Sequence, residues 1–545
     1  MSFPTPPPPL ETAPSYIRCA PTSKRISRRR LCLLMDGTGN SFGSNITNLP
    51  ILFSLANEDP TKALLYYQAG VGETIATHEA GWVPSKIYQK VSQVIDEGIA
   101  YSLGDHICKG YKFLMDRELR HPPFLPPSSL VVRFEAWLPS RHYQPGDEVF
   151  LFGFSRGAFT ARALAGMLEA VGLLPAGNEE TIPLAFSIYK RKTETTFFQS
   201  GEQKETVAQG FKRTFSREIE DTVSSVGSII PRTLPFASGS SWIHHFRQAF
   251  ALDERRARYT PQHWIGPAAQ ADRNLSANAQ PGDGHGGDER PVTTVKEVYF
   301  AGAHSNVGGG EFPYDGDHSP ALSHLSLKWM VREAVEAGFE LDTYSVSTSP
   351  IFGPFVDKAR EALRSLDKYP DLETYLDRTM ENNPEANELM AATVYLAARP
   401  SPQTTADALA PRADHLSFAI EEKPEAVRDK LSFGARLADF CSRVSARAMT
   451  SFWWLIEILP TIKVAQRADA HGKKRISFWP NFGRGRVLPA HPNFHYSVLE
   501  RMSAAPAKLA SEPGNNENVP EGRHGYKPHA RFREGRGMKD VRFVE

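Results

Sequence analysis

Short apolar runs alternate with stretches of helical periodicity over the first two thirds of the chain. The segments "LCLLM" (31–35), "ALLYYQAG" (63–70), "DEVFLFGF" (147–154) and "VKEVYFAGA" (295–303) are short and almost continuously apolar, the pattern of strands buried on both faces. Between them, 85–119, "RGAFTARALAGMLEAVGLL" (156–174) and "ALSHLSLKWMVREAVEAGF" (321–339) carry apolar residues at three- and four-residue spacing and read as helices. Strands of this kind followed by helices predict a mostly parallel sheet with helices on both sides, the α/β class. From about 350 to 500 the pattern is mainly helical and broken by proline, and it includes the aromatic stretch "SFWWLIEILP".

The expected organisation has four parts. Residues 1–28, Pro-rich and then basic, read as a disordered arm. Residues 29–345 form the α/β domain, with a flexible insertion at 265–291. Residues 346–500 form a mainly helical cap or C-terminal region, and 501–545 a mobile polar tail. Hydrophobic residues at 41% and charged residues at 23% are enough for a packed core. Sixty-three Lys and Arg against 62 Asp and Glu leave +1, so no whole-chain field draws it to nucleic acid. The four cysteines, Cys19, Cys32, Cys108 and Cys441, form no CxxC pair, which argues against a disulfide framework or a cysteine zinc site and fits a reducing compartment. "MSFPTPPPPLETAPSY" has no apolar signal core and no run reaches about 18 apolar residues, so a cytoplasmic location is expected. No metal-ligand spacing, Walker loop or strand-linked Gly-x-Gly-x-x-Gly is visible, and no metal or other cofactor is expected.

The first strand ends in "MDGTGN". An Asp-Gly-Thr turn at a strand end suggests a phosphatase of the haloacid dehalogenase type, but the nucleophilic Asp would then occupy position 34, which is Leu. A nucleophile is found further on. Gly153-Phe154-Ser155-Arg156-Gly157 is a Gly-x-Ser-x-Gly lying between a predicted strand and a predicted helix, the setting of a nucleophile elbow. The bare motif arises by chance about 0.2 times in a chain of this length, so its weight comes from that setting. Glycines two before and two after the serine let strand and helix approach, and the N–H of Arg156 at the helix start can face an oxyanion. A base is needed, and His304 stands out among the 17 histidines because it ends a strand and precedes the Gly-rich "SNVGGG". The acid is harder to place. Asp221 lies between Ser155 and His304 in the order this chemistry uses, whereas Asp253 and Glu254 in "ALDERRARY" look helical and surface-paired.

Six segments in order, "LLMDGTGNSFGSNITNLPIL", "FGFSRGAFTARALAGMLEAVGLL", "DTVSSVG", "HHFRQAFALDERRARYTPQHW", "VKEVYFAGAHSNVGGG" and "ALSHLSLKWMVREA", resemble the domain called DUF2235. This is the catalytic domain of Tle1-like phospholipase effectors of bacterial type VI secretion, also common as stand-alone fungal proteins. The resemblance implies an α/β-hydrolase core and a Ser155, Asp221 and His304 triad acting on lipid esters without a cofactor. It also implies that Asp36 braces a loop whose Gly37 or Thr38 N–H joins Arg156 in the oxyanion hole, with Gly153, Gly157 and Asn306 as supports. Two departures from the family pattern stand out: the charged "FKRTFSREIE" where an apolar strand normally precedes Asp-Thr-Val, and Asn306 where Asp is usual. They motivate a rival expectation, a hydrolase-fold scaffold or binding protein without catalysis. The residues around Trp453 and Trp454 are a candidate for peripheral membrane contact, against the plainer reading of a core helix.

Overall fold

The computed structural model describes residues 29–37, 46–70, 103–115, 143–144, 146–191, 198–200, 203–216, 222–226, 243–256, 259, 261–264, 293–310, 320–383, 386–410, 412, 454, 461–466, 474–479, 482–504, 526–532 and 536–545. In chain order the strands are β1 (Arg30–Met35), β2 (Ala63–Gln68), β3 (Glu148–Gly153), β4 (Phe198–Ser200), β5 (Gln203–Glu205), β6 (Thr222–Val226), β7 (Ile243–Ala251), β8 (Thr294–Phe300), β9 (Thr461–Gln466), β10 (Lys474–Trp479), β11 (Asn493–His495) and β12 (Arg542–Val544). Among the described residues, eight of them form one sheet in the order β12-β11-β8-β7-β6-β3-β1-β2, and every neighbouring pair is parallel. The pairs β4–β5 and β9–β10 are small antiparallel ribbons outside it. The fold is therefore α/β, a parallel sheet flanked by helices.

Alternate residues of the central strands feed two separate cores. Leu31, Leu33, Met35, Val149 and Leu151 pack with the helix Arg156–Val171 and the helical residues 103–115. Cys32, Leu34, Phe150 and Phe152 pack on the other face with the helices Asn48–Leu55 and Leu322–Glu336. With both faces covered, an unbroken apolar run is the stable choice, and each buried Leu contributes about 1.5–3 kcal/mol.

The expected cap region is part of this second layer. Helices Val356–Leu363, Pro370–Asn382 and Glu388–Ala398 share one hydrophobic cluster with β1 and β3. Beyond them the region holds strands as well, β9, β10 and β11. The stretch after 501, expected to be a polar tail, supplies the edge strand β12, where Phe543 meets Phe494 edge-on at 6.1 Å. Arg29 and Arg30, the end of the basic run, are buried and paired: Arg29 with Asp147, Arg30 with Glu148 and Glu340. The arm 1–28, the insertion 265–291 and most of the aromatic stretch lie outside the described residues; Trp454 is helical and half-buried.

Strand order reverses between β1 and β3. The chain runs outward from β1 to β2, then returns to lay β3 on the other side of β1 and continues to β6, β7 and β8. Connections leave the carboxyl ends of β1 and β3 in opposite directions, and such a divergence opens a crevice. In register Met35 pairs with Gly153, so the residues after both strands meet at that point.

Candidate active site

Ser155 caps the helix Arg156–Val171 with φ 57° and ψ −122°, a strained left-handed backbone for a residue with a Cβ. Its surroundings enforce this. A Cβ on Gly157 would sit 1.9 Å from the Met35 carbonyl oxygen, and one on Gly153 would sit 2.5 Å from Ala158 Cα. The N–H of Phe154 donates to the Met35 carbonyl at 3.1 Å, fastening the elbow to the end of β1. The result is a buried serine, 8% exposed, at the amino end of a helix.

Asp36 follows β1 and is buried. Its carboxylate accepts the Gly37 N–H at 2.6 Å and the hydroxyls of Thr47 and Tyr67, both at 2.8 Å. In this geometry the Gly37 N–H is directed at Asp36. Thr38 lies outside the described residues.

His304 follows β8 and begins a single helical turn, His304–Gly308. Its ring stacks on Phe154, the residue before the serine, with centroids 4.6 Å apart and planes at 21°. Tyr259 meets the same ring edge-on at 5.2 Å. The Gly-rich loop explains the closeness: a Cβ on Gly308 would fall 1.7 Å from the Phe154 ring, and Gly309 bridges to Thr47. Asn48 completes the join by donating to the carbonyls of Val307 and Ser323 at 3.1 and 2.9 Å. The three segments that end β1, β3 and β8 therefore converge on one point.

Three consecutive N–H groups of the His304 turn are held by side chains. Gly302 donates to Asp253 at 2.7 Å, Ala303 to Asn306 at 3.0 Å, and His304 to Glu254 at 3.2 Å. Asn306 thus serves as a neutral acceptor here. Asp253 and Glu254 were expected on a helix surface; instead they follow β7, 3% and 2% exposed. Burial pushes both carboxyls up, and their partners outweigh it. The Arg412 charge leads for Asp253, helped by the His529 N–H and the Tyr526 hydroxyl, and its pKa falls below the ordinary value. For Glu254, hydrogen bonds and charge from Arg256, then Arg486 and His304, bring it to about 2.

Asp221 lies outside the described residues. The strand that follows it, β6, enters the sheet at Thr222 beside Val149 and reaches the level of Gly153 only at Val226. The sequence reading placed Asp253 and Glu254 on a surface helix and passed over Arg256 and Tyr259. The signal that found His304, a polar residue just past the carboxyl end of an apolar strand, would have found the acids had "HHFRQAFAL" been read as a strand.

Beside His304 opens a mostly apolar cleft. Leu49, Leu52, Phe152, Phe154, Phe250, Leu327 and Met330 line it, with Asn48, His304, Ser326 and Arg486 as polar members. Arg486 is held to the Ala251 and Tyr259 carbonyls at 2.8 and 2.7 Å. Among the described residues no His, Cys, Asp or Glu group gathers as a metal site, and no helix is long and apolar enough to cross a membrane.

An uncharacterized protein of Saccharomyces cerevisiae, YEL023C, is similar to this chain at 26% identity over 592 residues, covering 88% of this chain and 80% of the yeast protein. Two solved structures are also similar, each at 14% identity. One is a crystal structure of an uncharacterized protein from Pseudomonas aeruginosa, covering 78% of this chain and 59% of that one with a TM-score of 0.26. The other is the Tle1 effector bound to the VgrG spike of the type 6 secretion system, covering 52% of this chain and 51% of that one with a TM-score of 0.25. The present chain thus spans a little over half the length of each solved relative. Residues 29–118 and 137–333, more than half of the chain, match the family model described as T6SS, phospholipase effector Tle1-like, catalytic domain, and the chain belongs to that family.

Proposed function

We propose that this protein is a serine hydrolase of α/β-hydrolase type that cleaves carboxylic esters of lipids, phospholipids first among them. The observation that carries the reading is the strained Ser155 at the start of a helix, clamped by Gly153 and Gly157 against the end of β1. Strain of this kind persists only where surrounding structure over-determines it, and it presents Oγ at the switch point of the sheet.

In this mechanism His304 takes the proton of Ser155 as Oγ attacks the ester carbonyl. The oxyanion is met by the N–H of Arg156 at the helix start, and His304 passes its proton to the departing alcohol. A water, deprotonated by His304, then attacks the acyl-enzyme, and the fatty acid leaves as Oγ recovers its proton. The family resemblance gives the triad acid to Asp221, which in the chain precedes the amino end of β6 rather than following its carboxyl end. The apolar cleft beside His304 suits an acyl chain.

Replacing Ser155 with Ala is expected to lower turnover of a short-chain nitrophenyl ester by about 10³-fold or more while the melting temperature holds. Turnover that survives the change would remove the assignment.

A second reading, a hydrolase-fold scaffold without catalysis, is favoured by the register of β6, whose amino end rather than carboxyl end follows Asp221. It predicts ligand binding with no turnover in the unmutated protein.

A further inference from the structure

We propose that Glu254 is a positioning residue for His304: its carboxylate anchors the histidine main chain and supplies the fixed negative charge that favours the imidazolium formed during ester attack. The catalytic half of this inference rests on the serine hydrolase reading; the electrostatic half stands on its own.

The geometry is that of a carboxylate with no freedom left. Oε1 accepts the Arg256 N–H and Nε, both at 2.9 Å, while Oε2 accepts Arg256 Nη2 at 2.7 Å and the His304 N–H at 3.2 Å. Those four bonds fill the acceptor capacity of a carboxylate. Glu254 is therefore not poised to share a proton with the ring. It acts through its charge and through the main chain it holds, and a direct triad acid remains compatible with it.

That charge matters because cations crowd the same place. Arg256 lies 3.7 Å from the Tyr259 ring centre, and Tyr259 touches His304. Arg486 lines the cleft with His304 and interacts with Glu254. From the elbow, Arg156 interacts with Tyr259. Asp253, the other acid on this loop, already faces Arg412, Tyr526 and His529. Arg256, Arg486 and Arg156 gather around Tyr259 and the His304 cleft, and Glu254 is the anion on the β7 side set against them. Bonds to Arg256 keep it ionised at any working pH.

Glu254→Gln is the test, because the amide keeps the shape and an acceptor for the His304 N–H while removing the charge. The titration of His304, followed by NMR on the full chain, should move down by about one pH unit. In an active enzyme the acid limb of kcat/KM should move down with it, and kcat should fall about tenfold. A merely structural role would lower the melting temperature and leave the His304 midpoint in place, and that result overturns the proposal. If Glu254→Gln does not fold, the unmutated protein decides. A His304 midpoint at or above that of an ordinary histidine is expected, and one well below it contradicts the role. The NMR midpoint does not depend on turnover, so an inert Ser155 would end the hydrolase reading without touching this result.

Discussion

The two sides of the candidate site are built by different means. On the β1 and β3 side, position is set by backbone sterics: Gly153 and Gly157 admit no Cβ, and Ser155 is forced into a left-handed conformation. On the β7 and β8 side, position is set by buried charge: Asp253 and Glu254 capture main-chain N–H groups, and Arg247, Lys296 and Glu333 pair below them. A steric device fails abruptly when one methyl group is added. A charge device fails by degrees and depends on pH.

The largest expected effect lies on the steric side. Gly157→Ala drives a Cβ to 1.9 Å from a backbone oxygen that cannot swing away, so it should cost at least about 3 kcal/mol and abolish turnover. Gly146, with φ +94° and nothing within 4 Å of its Cβ position, is the control; its change to Ala should cost only about 1 kcal/mol of backbone strain. Equal losses in the two variants, measured by denaturant unfolding, would break the distinction.

Next is Glu333, almost fully buried between Arg247 and Lys296. Burial pushes its carboxyl up, and Lys296, Arg247 and Arg332 outweigh this to hold it at about 2, below the ordinary 4.5. A depressed carboxylate stabilises the fold above its unfolded value, and the contribution is lost as pH falls through the folded one. Glu333→Gln should therefore cost about 3 kcal/mol near neutrality, with the difference from the unmutated protein shrinking between pH 4.5 and about 2. A difference constant over that range would show that the charge is not what stabilises this side.

Much of the steric side was legible in the sequence, and the charged side was not. "LCLLM" and "DEVFLFGF" are strands because both faces are covered, and Gly-Phe-Ser-Arg-Gly fell between strand and helix as its glycines demand. "HHFRQAFAL" hid β7 because Arg247 and Gln248 are buried within it; Arg247 has its carboxylate partner 86 residues away in Glu333, which no local pattern displays. The same blindness sent Asp253 and Glu254 to a surface helix. The edge strands β11 and β12 are three residues each, too short for any period to register.

The smallest expected effect is at Asn306. Its Oδ1 already accepts the Ala303 N–H, so Asn306→Asp keeps that contact while adding a charge at a position 3% exposed, and it should cost about 1 kcal/mol. The added anion should raise the His304 midpoint slightly. A large loss of stability would mean that the neutral amide, and not only its acceptor oxygen, is required.

The most direct measurement on the central claim is intact-mass analysis of the folded full chain after treatment with a fluorophosphonate, with Ser155→Ala beside it. One adduct per chain, located on Ser155 and missing from the variant, is the predicted result. A folded chain that takes up no probe, or takes it up elsewhere, would contradict the serine hydrolase account and leave the scaffold reading in its place.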